Sequence, residues 1–230
     1  MMSRQGQAEH VPATNHSPHW TGDSNVSNKI CDKSNLRHFY KRIEMHAYIF
    51  EQGGGWIKSS KDAIYISAKA MKITWGQDPR FWRWVQVSKD KLPGDLAKDE
   101  LGFDSVAELV QVSWLEATGS VDLASLKEQL SPSKTYQVIF HVKFKVDAFG
   151  WSKSPVMLLL VSPDGRREKR SEMVDSYRVR GADVWHEIRG GEFRVLANAA
   201  GKVEFGMLDV ENQRWKGGLL LAGVTIRPKN

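Results

Sequence analysis

Residues 73–84 read ITWGQDPRFWRW and hold three of the chain's nine tryptophans, among them Trp75 and Trp82. A Gly-Gln-Asp-Pro turn signal separates these two indoles, and side chains two apart on a strand share one face. A flat indole matches the apolar face of a sugar ring, and polar groups such as Gln77 and Asp78 match its hydroxyls. The stretch therefore indicates either core indoles or a platform for a ring-shaped ligand.

Other candidate chemistry is sparse in this chain. His186 and Glu187 are adjacent, so on a strand they point to opposite faces and do not form a dyad. Glu204 and Asp209 offer the kind of carboxylate pair that glycoside hydrolysis sets about 5–10 Å apart. With 27 acidic residues, however, the chain offers many such pairs. No phosphate loop, dinucleotide fingerprint or Gly-x-Ser-x-Gly elbow occurs, so binding without catalysis is favoured.

The composition is that of an ordinary globular protein, with 41% hydrophobic and 26% charged residues in a chain of 230. The net charge of +6 weakly favours acidic partners. A single cysteine, Cys31, excludes an internal disulfide framework and a cysteine-based zinc site, which suits the reducing cytosol. We expect no signal peptide, because residues 1–27 are polar and lack an apolar h-region. We expect no membrane span, because no segment approaches roughly 18 consecutive apolar residues.

A basic run, RREKR, occupies residues 166–170 directly after the turn signal PDG. The spacing predicts a hairpin loop there. A solvated loop and a phosphate-contacting patch are both open interpretations of these charges.

Three segments follow from the distribution of apolar residues. Residues 1–33 are polar and aperiodic, which predicts a disordered tail. Residues 34–60 are predicted to form a helix and a linker, with the amphipathic helix over 34–50 and a glycine run ending it. Period-two alternation begins near Ile64, so residues 61–230 are predicted to form one β-domain.

Many short strands with little helix between them predict an all-β fold, an antiparallel β-sandwich. The clearest strand is 136–146, where polar His141 is expected to be solvated and the apolar residues buried. Trp114 is expected in the core. Further strands are predicted at 64–68, 71–75, 81–87, 108–118, 156–161, 184–188, 203–210 and 219–226, separated by turn signals that include Gly190-Gly191 and Gly217-Gly218.

Several ordered motifs resemble the Nictaba-like lectin domain of the phloem protein 2 family. The resemblance covers roughly Ile64 to Lys229. It lies in the segments ITWGQDPRFWRW, VSWLE, SPSKTY, WHEIRGGEF, RWKGGL and VTIRPK, which follow one another along the chain.

The resemblance implies a plant lectin with a jelly-roll-like β-sandwich that binds N-acetylglucosamine oligomers, such as chitin oligosaccharides, and N-glycan cores. It implies no catalysis, cofactor or metal. Trp75 and Trp82 match the family's sugar-binding tryptophans. Of the two acidic positions that precede the Trp-Lys motif, Asp209 fills one, and Lys202 stands at the other with Glu204 nearby.

The same resemblance implies a cytoplasmic location with the nucleus as a second one, phloem sieve elements as the setting, and defence or phloem function as the role. RNA binding through the basic surface is the alternative function. A homodimer is expected at the level of the family.

Overall fold

The computed structural model describes residues 57–60, 63–97, 103–126, 130–153, 155–195, 197 and 200–229. Within them the regular secondary structure is almost entirely β-strand, with one short α-helix, α1 (Asp175–Arg180), and single 3-10 turns between strands. In chain order the strands are β1 (Ile57–Ser60), β2 (Ala63–Ser67), β3 (Lys72–Ile73), β4 (Trp82–Gln86), β5 (Ser105–Leu109), β6 (Leu115–Asp122), β7 (Thr135–Phe149), β8 (Val156–Val161), β9 (Arg167–Glu172), β10 (Trp185–Arg194), β11 (Lys202–Asp209) and β12 (Gly217–Pro228).

The strands form two antiparallel sheets. In the larger, seven-stranded sheet, β12 pairs with β7 on one side and with β2 and β5 on the other, and β1, β4 and β10 complete the sheet. The smaller, five-stranded sheet has the order β3-β6-β11-β8-β9. The predicted antiparallel β-sandwich is confirmed.

The core lies between the two sheets. Phe140 of β7 and Phe205 of β11 meet edge to face there, with ring centroids 6.0 Å apart. Along β11 the odd-numbered side chains Val203, Phe205 and Met207 are buried in this core. Because side chains alternate along a strand, Glu204 and its even-numbered neighbours lie on the outer face of the smaller sheet.

One strand was predicted across residues 108–118, and this prediction is wrong. β5 belongs to the larger sheet and β6 to the smaller, and residues 110–114 carry the chain from one to the other. Val112 is buried at the crossing, where it pairs with Lys216 in an isolated bridge. The apolar alternation continues through the crossing, so it does not reveal the change of sheet.

The basic run is also placed differently from the prediction of a hairpin loop. Arg166 lies in the turn, but β9 begins at Arg167 and pairs with β8 at the edge of the smaller sheet. Five of its six residues are exposed, because an edge strand beyond the core buries neither face. The period-two signal of a half-buried strand is therefore absent from its sequence.

Two glycine pairs that were predicted as turns lie within strands. Gly191 is inside β10, where the register with β7 shifts and its φ is +137°. Gly217 and Gly218 begin β12, where the register also shifts. Glycine favours such β-bulges because it adopts positive φ without steric cost.

His141 is 1% exposed, so the prediction that it is solvated is wrong. The outer face of the larger sheet is covered by the segment after β4, and Leu92 and Leu96 join Tyr65 and Leu220 in a second hydrophobic cluster. His141 points to this covered face.

The predicted tail at 1–33 and helix at 34–50 lie outside the described residues. In the part of the chain that the structure describes, no helix is long and apolar enough to cross a membrane.

Candidate functional site

Trp75 follows β3 at one end of the smaller sheet. Its φ is +59°, a left-handed conformation that large side chains rarely adopt. The Asp78 amide donates to the Trp75 carbonyl at 2.9 Å, and the Gly76 amide donates to the Ile73 carbonyl at 3.0 Å. The indole rests against the Phe81 ring at a centroid distance of 5.0 Å, yet the residue is 37% exposed. The turn thus holds part of an indole open to solvent.

Asp78, which was expected to meet sugar hydroxyls, is engaged within the same turn. The Arg80 guanidinium donates to both carboxylate oxygens, at 3.0 Å to Oδ1 and 2.6 Å to Oδ2. These hydrogen bonds hold the pKa of the Asp78 carboxyl below its usual value. Arg80 also lies 5.3 Å from the centre of the Phe81 ring, which backs Trp75. The pair therefore braces the turn.

Glu116 lies next to this turn, on the outer face of β6. Its Oε2 accepts hydrogen bonds from Thr74 Oγ1 at 2.7 Å and from the Trp114 indole at 3.2 Å. The Thr74 amide donates to the Glu116 carbonyl at 3.0 Å, which places Glu116 opposite Thr74, the residue before Trp75. Trp114, predicted to be core, is half-buried. The four residues form an aromatic and acidic cluster at one end of the smaller sheet.

Trp82 is in the core. It is 2% exposed and belongs to the main hydrophobic cluster, so no face of its ring is available for stacking. Trp82 and Trp84 do share a face of β4, but that face points into the sandwich. The Trp84 indole donates to the Gly76 carbonyl at 3.1 Å and so supports the Trp75 turn from below. The expectation that both Trp75 and Trp82 stand open is therefore wrong for Trp82.

Glu204 and Asp209 do not converge. They lie on opposite faces of β11, and five residues of strand separate them by about 17 Å. Glu204 lies on the outer face, opposite Ser120 and Val161 in the two neighbouring strands.

Asp209 is buried, and its Oδ2 lies 3.0 Å from Nζ of the fully buried Lys216. Within the described residues no donor meets Oδ2 with hydrogen-bond geometry, so the contact is an ion pair held by charge. Oδ1 accepts a hydrogen bond from the Asn212 amide at 3.1 Å. Trp75 follows β3 on one side of the start of β6, and Asp209 of β11 pairs with Leu115 on the other side.

One mixed group of acids and histidine lies elsewhere, on the covered face of the larger sheet. Ligand atoms of Asp95, His141 and Glu187 are all within 4.8 Å of one another. Arg227 pairs with both carboxylates, and His141 Nε2 is 2.8 Å from Thr225 Oγ1. Burial lowers the pKa of His141 to about 4. The Arg227 guanidinium already offsets the negative charge of the two carboxylates that would otherwise attract a metal ion.

The sequence contained a signal for the residues that the prediction missed. Trp114 and Glu116 are two apart, so a strand through them places both on one face. Thr74 was hidden because its partner is 42 residues away along the chain. That contact arises only from the pairing of β3 with β6.

The fold and the cluster define a class: two-sheet, all-β proteins with an aromatic and carboxylate site at a strand end. The sequence profile described as Phloem protein 2 matches residues 61–228, and the chain belongs to this family.

Its relatives are plant proteins. Protein PHLOEM PROTEIN 2-LIKE A1 of Arabidopsis thaliana is 34% identical over 175 residues, 76% of this chain and 65% of its own length. Protein PHLOEM PROTEIN 2-LIKE A2 of the same species is 40% identical over 126 residues, 54% of this chain and 61% of its own length. A protein named Lectin from Luffa acutangula is 33% identical over 172 residues, 74% of this chain and 73% of its own length. The chain thus spans less than two thirds of the two Arabidopsis relatives.

Similar folds occur among solved structures only at a distance. A GH26-CBM35 β-(1,4)-mannanase of Podospora anserina has a TM-score of 0.39 and 10% identity, covering 74% of this chain and 28% of its own. That degree of similarity is too low to transfer a ligand.

Proposed function

We propose that this chain is a lectin that binds N-acetylglucosamine oligomers, including the core of N-glycans, at the Trp75 turn. One observation carries the proposal: the partly exposed Trp75 directly follows Thr74, whose hydroxyl donates, together with the Trp114 indole, to the Glu116 carboxylate. Membership of the phloem protein 2 family, with a relative named Lectin, supports the same function.

The chemistry of the cluster suits an acetylated sugar. The C–H face of a pyranose ring stacks on the open part of the Trp75 indole. Both hydrogen bonds to Glu116 fall on Oε2, which leaves Oε1 to accept from a sugar hydroxyl or an acetamido N–H. Because Thr74 and Trp114 fix the carboxylate, little side-chain entropy is lost when the sugar binds.

These contacts support modest affinity. Stacking of a base on an aromatic ring contributes about 1–3 kcal/mol, and a sugar face should contribute no more. A hydrogen bond to a charged group adds about 1.5–3 kcal/mol. Together they correspond to dissociation constants from micromolar to millimolar. A second copy of the chain would raise the apparent affinity for chitin or clustered glycans.

The test is calorimetric titration with chitotriose, together with retention on immobilised chitin. Trp75→Ala and Glu116→Gln are each expected to weaken binding by roughly tenfold or more, with unchanged circular dichroism. Binding equal to that of the unchanged chain in both variants would refute the proposed site.

Glu204→Gln is the matched control. Glu204 is also a half-buried acid on the outer face, but the register of β6 with β11 sets it about 14 Å from Glu116. We expect this variant to bind chitotriose normally. If Glu204→Gln loses binding while Glu116→Gln keeps it, the sugar lies at Glu204, near the family's acidic positions, instead.

The proposed activity is binding without turnover. Chitin oligomers incubated for days with the chain should remain intact by mass spectrometry. Cleavage that disappears in Glu204→Gln or in Asp209→Asn would instead reveal a hydrolase.

RNA binding is a second candidate function, and one observation favours it. β9 exposes Arg167, Lys169 and Arg170 at the edge of the smaller sheet, beside Arg166 in the preceding turn. Such a strip of cations suits a phosphate backbone.

The proposed setting follows from family membership. We infer a cytoplasmic protein of the phloem, with the nucleus as a second location, whose partners are glycoproteins or free chitin oligosaccharides. A role in defence is consistent with recognition of chitin.

A further inference from the structure

The loop between β11 and β12, residues 210–216, displays the most exposed tryptophan of the described residues. Trp215 is 53% exposed, compared with 37% for Trp75. An indole on a protein surface is unusual because it leaves a large apolar area in water. We call residues 210–216 the Trp215 loop.

The Trp215 loop is held by its backbone. The amides of Val112 and Lys216 each donate to the other residue's carbonyl, both at 2.9 Å. Next to it, the buried Trp151 indole donates to the Gly217 carbonyl at 2.9 Å. The residues on the carboxyl side of Trp215 are therefore fixed to the sandwich.

Gly150 packs against the same loop. Its φ is +83°, and a Cβ atom there would lie 2.1 Å from the Trp215 carbonyl oxygen and 2.7 Å from Lys216 Cα. No side chain fits at that distance, so the backbone of residue 150 touches the backbone of the loop directly.

The buried ion pair ties the two ends of the loop together. Asp209 ends β11, and Lys216 reaches back to it through the interior while also donating to the Arg214 carbonyl at 2.8 Å. Asn212 donates to the other oxygen of Asp209. A buried ion pair contributes little to stability on balance, but it fixes the geometry of the groups around it.

Trp215 lies at the same end of the sandwich as Trp75. Since Lys216 pairs with Val112, Trp215 lies opposite Ser113, just before β6 begins. Trp75 lies next to the residue that pairs with Glu116. The path from Trp215 across to Ser113, along the chain to Glu116 and across to Thr74 has two strand spacings and a few residue rises. The Cα atoms of Trp215 and Trp75 are therefore at most about 25 Å apart.

We propose that Trp215 is an outer stacking surface for the longer N-acetylglucosamine oligomers, and that the Asp209–Lys216 pair positions it. This inference rests on the proposed function. Trp75 and Glu116 hold the first sugars, and Trp215 meets a sugar further along the chain. Trp215 thus supplies the second exposed indole, and Asp209 acts through the loop without touching the ligand.

Calorimetry with di-N-acetylchitobiose and with the N-acetylated tetramer tests the assignment. The unchanged chain should bind the tetramer more tightly than the dimer. Trp215→Ala should reduce tetramer affinity by about tenfold, to the level of the dimer, and leave dimer affinity unchanged. Trp75→Ala should weaken binding of both.

The double variant Asp209→Asn with Lys216→Gln should also lose the higher affinity for the tetramer and keep its affinity for the dimer. Circular dichroism checks that this variant is folded. Loss of dimer binding in this variant would make Asp209 a direct ligand residue and overturn the positioning role. Trp185→Phe, which alters a half-buried indole on the larger sheet, is the control and should bind both sugars normally.

Two failures are distinguishable. If the unchanged chain binds neither oligomer, the proposed function fails. The second failure is that the unchanged chain binds both oligomers, but Trp215→Ala has the same affinity as the unchanged chain for both, or loses affinity equally for both. Either result refutes the outer surface assigned to Trp215, while the lectin function stands.

Discussion

Trp75 keeps a backbone conformation that costs about 1–3 kcal/mol for a residue with a side chain. Two neighbours maintain this conformation: the Phe81 ring lies against the Trp75 indole, and the Trp84 indole donates to the carbonyl of Gly76. Backbone strain of this kind clusters at functional sites, and the partly exposed indole of Trp75 is consistent with a binding function.

We expect Trp75→Gly to unfold at a higher urea concentration than Trp75→Ala, by about 1 kcal/mol in free energy. At most positions outside the left-handed region, alanine is the more stable of the two. Both variants should lose sugar binding. Greater stability of the alanine variant would show that residue 75 does not have positive φ in solution.

Trp82 should behave as a core residue. Trp82→Ala is expected to lower the free energy of unfolding by about 3–5 kcal/mol. Trp82→Phe, which keeps most of the ring volume, should bind chitotriose like the unchanged chain. A folded Trp82→Phe protein that fails to bind would return Trp82 to the site.

His141 should make the protein sensitive to mild acid. Burial lowers its pKa from the ordinary 6.5 to about 4, so between these values the unfolded chain binds the extra proton. The free energy of unfolding is unaffected above pH 6.5 and falls with decreasing pH, by up to about 3 kcal/mol near pH 4.

Urea unfolding at pH 7.5 and pH 5 measures this effect. In His141→Gln, which retains a polar partner for Thr225, the difference between the two pH values should shrink by the histidine contribution. An unchanged difference would show that His141 does not cause the acid sensitivity.

The Trp215 loop is bounded by the buried ion pair of Asp209 and Lys216. Lys216→Met leaves Asp209 buried without its cation and should cost about 3–5 kcal/mol. Adding Asp209→Leu removes the second charge and should restore most of that loss. Urea midpoints of the two single variants and the double variant form the cycle, and additive losses would contradict the pairing.

Much of the β-architecture could be predicted from the sequence, since residues 156–161 form a strand with the predicted ends and 136–146 lies within β7. Alternation reports that a strand has two unlike faces. It does not report which sheet the strand joins, so the crossing at residues 110–114 was missed.

The site was predictable only in part. The exposure of Trp75 was predicted because a turn signal follows it directly. Trp82 was misassigned because sharing a face with Trp84 does not reveal whether that face points inward. Glu116 depends on pairing with β3, and the burial of Asp209 depends on Lys216 reaching back across a loop. Contacts of this kind exist only once the sheets are assembled.

At the scale of the whole molecule, the excess of positive charge gives the RNA hypothesis a quantitative test. Binding of single-stranded RNA should weaken with salt, with a logarithmic slope of about −0.7 for each phosphate contact. Replacing Arg167 and Lys169 with glutamine should reduce the slope by roughly 1.4.

Fluorescence anisotropy with polyuridylate measures this slope, at salt concentrations from about 50 to 200 mM. The control variant replaces Lys72 and Lys89. Lys72 lies in β3, at the edge of the smaller sheet opposite β9, and Lys89 lies in the segment after β4 of the larger sheet. Equal slopes in all three proteins, or no binding, would remove RNA as a partner of this strand.

The charged edge of β9 has a consequence for self-association. An unpaired strand edge is a template on which another chain can continue a sheet and start a fibre. Here a second copy arriving at that edge would meet Arg167, Lys169 and Arg170 with its own like charges. Glu168 and Arg170 also follow the inward alternation of Leu158 and Leu160, which places charge where a continuing sheet would need apolar side chains. The same strip of cations therefore disfavours the edge-to-edge pairing that starts amyloid-like aggregation.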